Sequence, residues 1–293
     1  MGARTDLRVK DDYFARVLVG QESLLFDGGM GTMLQRRGLS VPGELPDLLC
    51  LRESAAVSEI HAAYVQAGSQ AITTNTFGSN RLKLADAVSV DDVYAAAVEC
   101  ARNAGARYVA GDIGPTGEML DPYGDLEFDE AYELFAEQAR AAQDAGADLV
   151  IIETMADLNE MSAAVRASVE NTALPVFATM TFTKHGRTLM GDTPADAVRE
   201  LEGLGVDAVG INCSLGPADL YPLAKEMLEV ATKPVIVQAN AGLPELIEGQ
   251  TTYSISPDEY AEAVGLMVEA GVHIIGGCCG TDPDYIRKLA ALL

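Results

Sequence analysis

A closed (β/α)8 barrel is the fold class this sequence predicts, on three observations. Eight short apolar runs rich in β-branched residues recur along the chain. Longer amphipathic stretches of helical period separate them, and no linker or low-complexity tract divides the 293 residues. Strict alternation of strand and helix implies a parallel sheet, and eight such units in roughly 250 residues fit the barrel, with a doubly wound open sheet as the alternative.

The first twenty residues read as an N-terminal extension whose amphipathic stretch, Tyr13 to Val19, is expected to pack against a barrel domain spanning residues 21–293. "SLLFDGG" supplies the first strand. The longest insertion, "RRGLSVPGELPDLLCLRE" (Arg36 to Glu53), follows it and is expected to form a flap over the site. "QAITTNTF", "RYVAGDIGP", "DLVIIETM", "PVFATMTF", "DAVGINCS", "KPVIVQANA" and "VHIIGGCC" supply strands two to eight. Between them lie helical stretches such as "DEAYELFAEQARAAQDAGA", "PADAVRELEGLGV" and "SPDEYAEAVGLMVEAGV". These end in the Ala-Gly or Leu-Gly pairs expected just past a helix C-terminus.

Composition narrows the function. With 44 acidic against 20 basic residues the formal charge is -24, which opposes binding to nucleic acid or to an anionic membrane. The opening residues hold no apolar stretch of signal-peptide length, and no run of about 18 apolar residues suggests a membrane span, so the reading is cytoplasmic. Five cysteines are too few for a disulfide framework, and in a reducing compartment they point to metal binding or reactivity.

In barrels of this class the functional groups stand at the C-terminal ends of the strands. The predicted strand ends carry Asp27, Asn75, Asp112, Glu153, Thr181, Cys213, Asn240 and the adjacent pair Cys278 and Cys279. Neighbouring side chains on a flat strand face opposite ways, so Gly276, Gly277 and Gly280 are expected to curl the strand end and bring both thiols to one side. With Cys213 they make three thiolates on one rim, a donor set that suits zinc and leaves its fourth position for substrate. The alternative is three buried small apolar side chains. Cys50 and Cys100 read as packing residues. His61, His185 and His273 fall away from the rim, which removes schemes that need a histidine base beside a nucleophile. Neither "DGGMGTM" nor "GDIGPTGE" fits a dinucleotide fingerprint or a P-loop.

Six segments in order, "DGGMGTML", "TNTFGSN", "GDIGPTGE", "IIETM", "GINCSLGP" and "GGCCGT", resemble the homocysteine S-methyltransferase family over nearly the whole chain, and most of all the homocysteine-binding modules of its cobalamin-dependent members. The resemblance implies a (β/α)8 barrel with Cys213, Cys278 and Cys279 as zinc ligands and catalytic centre. It implies homocysteine as substrate, its ammonium held by Asp27 and Glu153, its carboxylate near Gly28 and Gly29, with Asn75 on the same rim. Betaine-using relatives carry a tyrosine after the phenylalanine of the second strand end, where this chain has Gly78. Relatives using S-methylmethionine show "GPYGA" where this chain has "GPTGE". The implied methyl donor is therefore methylcobalamin, or another methylated corrinoid, supplied by a partner. S-methylmethionine or S-adenosylmethionine as donor, and a non-catalytic zinc-binding docking subunit, are the alternatives.

Overall fold

The computed structural model describes residues 7–40, 43–85, 88–247 and 250–293, and so omits Val41 and Pro42 of the insertion. Eight parallel strands run β1 (Leu24–Leu25), β2 (Ala71–Thr73), β3 (Tyr108–Ile113), β4 (Leu149–Met155), β5 (Val176–Met180), β6 (Ala208–Asn212), β7 (Val235–Ala239) and β8 (Ile274–Gly277). They pair in the order β1-β8-β7-β6-β5-β4-β3-β2, with helices between successive strands. The barrel prediction holds.

The last seam, between β1 and β2, has no ladder. It is closed by the Gln70 N–H donating to the Leu25 carbonyl at 2.8 Å and the Leu25 N–H donating to Gln70 Oε1 at 3.0 Å. The helix ends match expectation: Gly205 and Gly271 terminate their helices at φ 99° and 113°, a conformation that costs other residues energy.

Alternate residues of each strand fill the barrel interior. Leu24, Phe26, Tyr108, Ile151, Phe177 and Ile236 are fully buried in one cluster that includes Phe14 and Val17 of the N-terminal extension. Phe14 stacks on Tyr108 with ring centroids 4.8 Å apart. The helix carrying it, Asp12–Val17, is capped by Asp11, whose carboxylate accepts from the Phe14 N–H and the Tyr108 hydroxyl. Tyr108 begins β3, so the extension plugs the N-terminal end of the barrel. The filled interior leaves only the opposite end, where the strands terminate, able to admit a ligand. No helix among the described residues is long and apolar enough to cross a membrane.

Candidate active site and metal centre

At the C-terminal end of the strands lies a cavity of about 470 Å³, lined by Asp27, Gly28, Gly29, Asn75, Asp112, Glu153, Cys213, Cys278 and Cys279 among others. Most of the predicted rim converges there. Thr181 does not line it, because its N–H and hydroxyl donate to the Met155 carbonyl. Asn240 is buried behind the cavity, where its side chain hydrogen-bonds Cys213.

The three sulfurs lie within 4.8 Å of one another, with Cys213 and Cys279 3.9 Å apart. Sulfurs at about 2.3 Å from a tetrahedral zinc stand about 3.8 Å apart, so the cluster fits the ion with little movement. Two local devices build it. Cys213 and Ser214 follow β6 with φ of 55° and 58°, the left-handed region that costs non-glycine residues about 1–3 kcal/mol each. The Cys213 N–H still donates to Gln238, so the turn swings the side chain over the barrel mouth. At β8 the expected curl takes another form: Gly276 and Gly277 continue the strand, and the turn begins at Cys278. These glycines are needed for close approach. A Cβ on Gly276 would lie 2.8 Å from the Phe26 Cβ, and one on Gly277 2.3 Å from Thr281 Oγ1; only Gly280 has a positive φ, 84°.

Without metal the sulfurs share protons unequally. S–H groups of Cys278 and Cys279 donate to Cys213 and pull its thiol down to about 3. The same bonding pushes Cys278 far up and Cys279 up to about 12.

Asp27 stands at the barrel seam, and its Oδ2 accepts from the Thr73 N–H at 3.0 Å, replacing a missing ladder bond between β1 and β2. It is therefore not a helix cap; the following helix, Met30–Arg36, is entered at Gly29 without a side-chain cap. Glu153 continues the inward-facing series Leu149, Ile151 of β4, and a β-bulge follows it, where Thr154 has φ 64°. Its Oε2 accepts from Asn212 Nδ2 at 3.4 Å, and it forms no ion pair among the described residues. Burial raises Asp27 to about 7, and burial with the neighbouring Cys213 and Asp27 raises Glu153 to about 8. Folding therefore favours protonated Asp27: that stability is complete below about pH 4 and is lost as pH rises through about 7. Metal-free protein is expected to melt lower at about pH 8 than at about pH 5, and Asp27→Asn to flatten the slope. Thermal melts of both proteins check this; equal slopes would remove Asp27 as the cause.

The sequence did not single out several cavity residues. Asn212 links the two halves of the site: its Nδ2 reaches Thr154 Oγ1 at 2.8 Å and Cys278 Sγ at 4.0 Å. Asp47, in the insertion, accepts from the Gly78 N–H and the Ser79 hydroxyl at 2.8 Å. Asn75 donates to the Pro46 carbonyl at 2.8 Å, so its amide holds the insertion in place. Leu45, Pro46 and Asp47 line the cavity, as expected of a flap, but the segment is pinned. Its other anchor is Cys50, packed with Cys100, Val57 and Ala97 in a small buried cluster, which is the packing role expected of both cysteines. Lys83 is the one cationic lining side chain among the described residues, and its Nζ is tied to the Pro115 carbonyl at 2.8 Å. Tyr253 covers Gly280 beside the sulfurs; burial, then Cys279 and Cys213, push its hydroxyl up to about 12. No histidine lines the cavity among the described residues: His61 is wholly buried, His185 exposed and His273 at the start of β8.

Known proteins resemble this chain to different extents. The chain is 36% identical over 306 residues to a methionine synthase of Mycobacterium leprae and 36% identical over 316 residues to one of Mycobacterium tuberculosis. The alignments cover 94% and 98% of this chain but only 24% and 25% of those proteins. The chain therefore spans about a quarter of the length of the curated relatives it matches. Among solved structures, the metallated form of the Escherichia coli homocysteine methyltransferase MmuM superposes with a TM-score of 0.79 at 24% identity, covering 92% of this chain and 96% of that one. Its oxidized form gives 0.81 at 24% identity, covering 96% and 99%. At that identity the superpositions establish the shared fold. The profile of the homocysteine S-methyltransferase family matches residues 24–293, and the chain belongs to that family.

Proposed function

We propose that this barrel methylates homocysteine to methionine, with zinc held by Cys213, Cys278 and Cys279 and the methyl group delivered by a methylated corrinoid on a separate protein or module. The observation that carries the reading is that the three-sulfur cluster opens onto the same cavity as Asp27 and Glu153. A metal store would need the sulfurs but not the buried carboxyls.

When bound, zinc would supply positive charge that ionises a fourth sulfur at neutral pH. The chain's own residues do the rest. Asp27 and Glu153 take the substrate ammonium, and its positive charge offsets the cost of ionising them in a buried site. The Gly29 N–H already donates to Thr281 Oγ1 at 3.1 Å, so it does not serve the substrate carboxylate. The N–H groups of Gly28 and of Met30 and Gly31 in the first helical turn take that role. Asn212 ties Glu153 to Cys278 and so fixes the distance between the amino and sulfur ends of the substrate. In the reaction the thiol proton leaves to solvent and the sulfur bonds the methyl carbon as the donor's methyl–cobalt bond breaks, that bond's electron pair staying with the corrinoid.

For the donor, a Cβ on Gly78 would lie 3.0 Å from Leu45 Cδ2 and 3.4 Å from Asp47 Oδ2, so a tyrosine like that of betaine-using relatives would press on the pinned insertion. "GPTGE", which follows the pattern of the family's cobalamin-dependent members, favours a corrinoid. The filled barrel interior requires any bulky donor to approach from the loop face. The test is to supply homocysteine with a methylated corrinoid protein, methylcobalamin, S-methylmethionine, S-adenosylmethionine or betaine and measure methionine. Turnover with the corrinoid donors is expected. Rapid turnover with S-methylmethionine alone would overturn the donor assignment, and none with any donor would overturn the activity.

A further inference from the structure

Asp112 is the most conspicuous polar side chain in the cavity that the reading above leaves unused. It ends the inward-facing series Tyr108, Ala110, Asp112 of β3, is only 3% exposed, and lines the cavity. Its Oδ1 has no hydrogen-bond partner. Burial, then Glu153, Asp47 and Asp27, push its carboxyl far up, against a single hydrogen bond from the Ile113 backbone. Lys83 does not relieve it, being held at Pro115 with Asp47 and Glu160 as its charged neighbours. A buried carboxyl with one oxygen unpaired and acidic groups around it is costly to ionise, so this arrangement points to a cation as its counterpart.

Strand order says where that cation sits. Asp27 is on β1 and Glu153 on β4, and the short way round the barrel between them passes over β2 and β3. A nitrogen shared by Asp27 and Glu153 therefore lies over the arc on which Asp112 stands. An ammonium group has three N–H donors, and two carboxyls leave one of them unmatched. We propose that Asp112 is the third acceptor of the substrate's α-ammonium group and, with Asp27 and Glu153, makes the site selective for a thiol that bears a free amine. The proposal rests on homocysteine being the substrate.

The test compares L-homocysteine with 4-sulfanylbutanoate, the same chain without the amine, by calorimetric titration of zinc-loaded protein. Wild type is expected to prefer homocysteine. Asp112→Asn, which keeps the shape and removes the charge, is expected to weaken homocysteine about tenfold or more while leaving 4-sulfanylbutanoate and zinc content unchanged. An unchanged ratio between the two ligands in the folded, zinc-loaded variant would overturn the role of Asp112 alone. Failure of wild type to bind homocysteine would instead overturn the substrate assignment. The crystal structure of wild type with homocysteine decides the matter even if the variant does not fold. The nitrogen must lie within hydrogen-bond distance of Asp112, and a nitrogen held only by Asp27 and Glu153 would refute the proposal.

Discussion

Replacing Cys213, Cys278 or Cys279 singly with Ala is expected to weaken zinc by about a thousandfold or more, whereas Cys50→Ala and Cys100→Ala retain it. Zinc held by four ligands is worth roughly 10–16 kcal/mol in small protein sites, so losing one of three thiolates removes several kcal/mol. Nothing nearby replaces the lost sulfur: among the described residues the three cysteines are the group close enough to share an ion. The single variants should also differ in fold stability. Cys279 is exposed and its loss leaves no buried void, whereas alanine at position 213 keeps the unfavourable φ of 55° with no bound ion to offset it. Metal analysis after dialysis, with thermal melts in the presence and absence of chelator, reads both effects. Full zinc in the Cys278→Ala and Cys279→Ala proteins would remove the cluster as the metal site.

The barrel was legible because each strand is a short apolar run whose ends carry turn or polar residues, and such runs survive as a local signal. The convergence of Asp27, Asp112, Glu153 and the three cysteines followed from that fold once the C-terminal strand ends were placed on one rim. Less visible was anything set by one element acting on another. Gln70 closes the seam between β1 and β2, and nothing in "SQAITT" marks it for that task. Asn212 is the clearest miss with a usable signal. Period-two alternation in "AVGIN" puts Ala208, Gly210 and Asn212 on one face, and Ala208 belongs to the inner cluster, so the inward polar group of β6 is Asn212. Cys213 lies one residue beyond and faces the site only because its backbone turns left-handed, which a strand pattern does not reveal. Glu153, by contrast, follows Leu149 and Ile151 of the inner cluster in the same alternation, so its inward aim was readable. Asp47 sits in an insertion whose course depends on Asn75 and Gly78, about thirty residues away in sequence, so its place at the cavity wall was not readable.

The largest effect on substrate binding is expected from Asp27→Asn and Glu153→Gln, each of which should weaken homocysteine about tenfold or more while leaving zinc in place. A charge-assisted hydrogen bond contributes roughly 1.5–3 kcal/mol, and in the proposed site each of these carboxyls meets the same ammonium group. Because they share that group, the two losses should not simply add. Once one carboxylate is neutral, the ammonium is less well compensated and the second loss changes character, so a double-mutant cycle should return a coupling of about 0.5–3 kcal/mol. The pH dependence carries independent information. In the empty site burial holds Asp27 up at about 7, and the ammonium is bound by its ionised form. Homocysteine binding should therefore strengthen as pH rises through about 7 and release a proton, until the substrate amine itself begins to lose its charge. Asp27→Asn should reduce that rise, leaving the part due to the substrate thiol and Glu153, while lowering affinity above it. Calorimetric titrations in buffers of different ionisation enthalpy measure affinity and proton release together. Equal affinity and equal proton release in wild type and both variants would exclude these carboxyls from the ammonium site, and with them the orientation of the substrate across the barrel mouth.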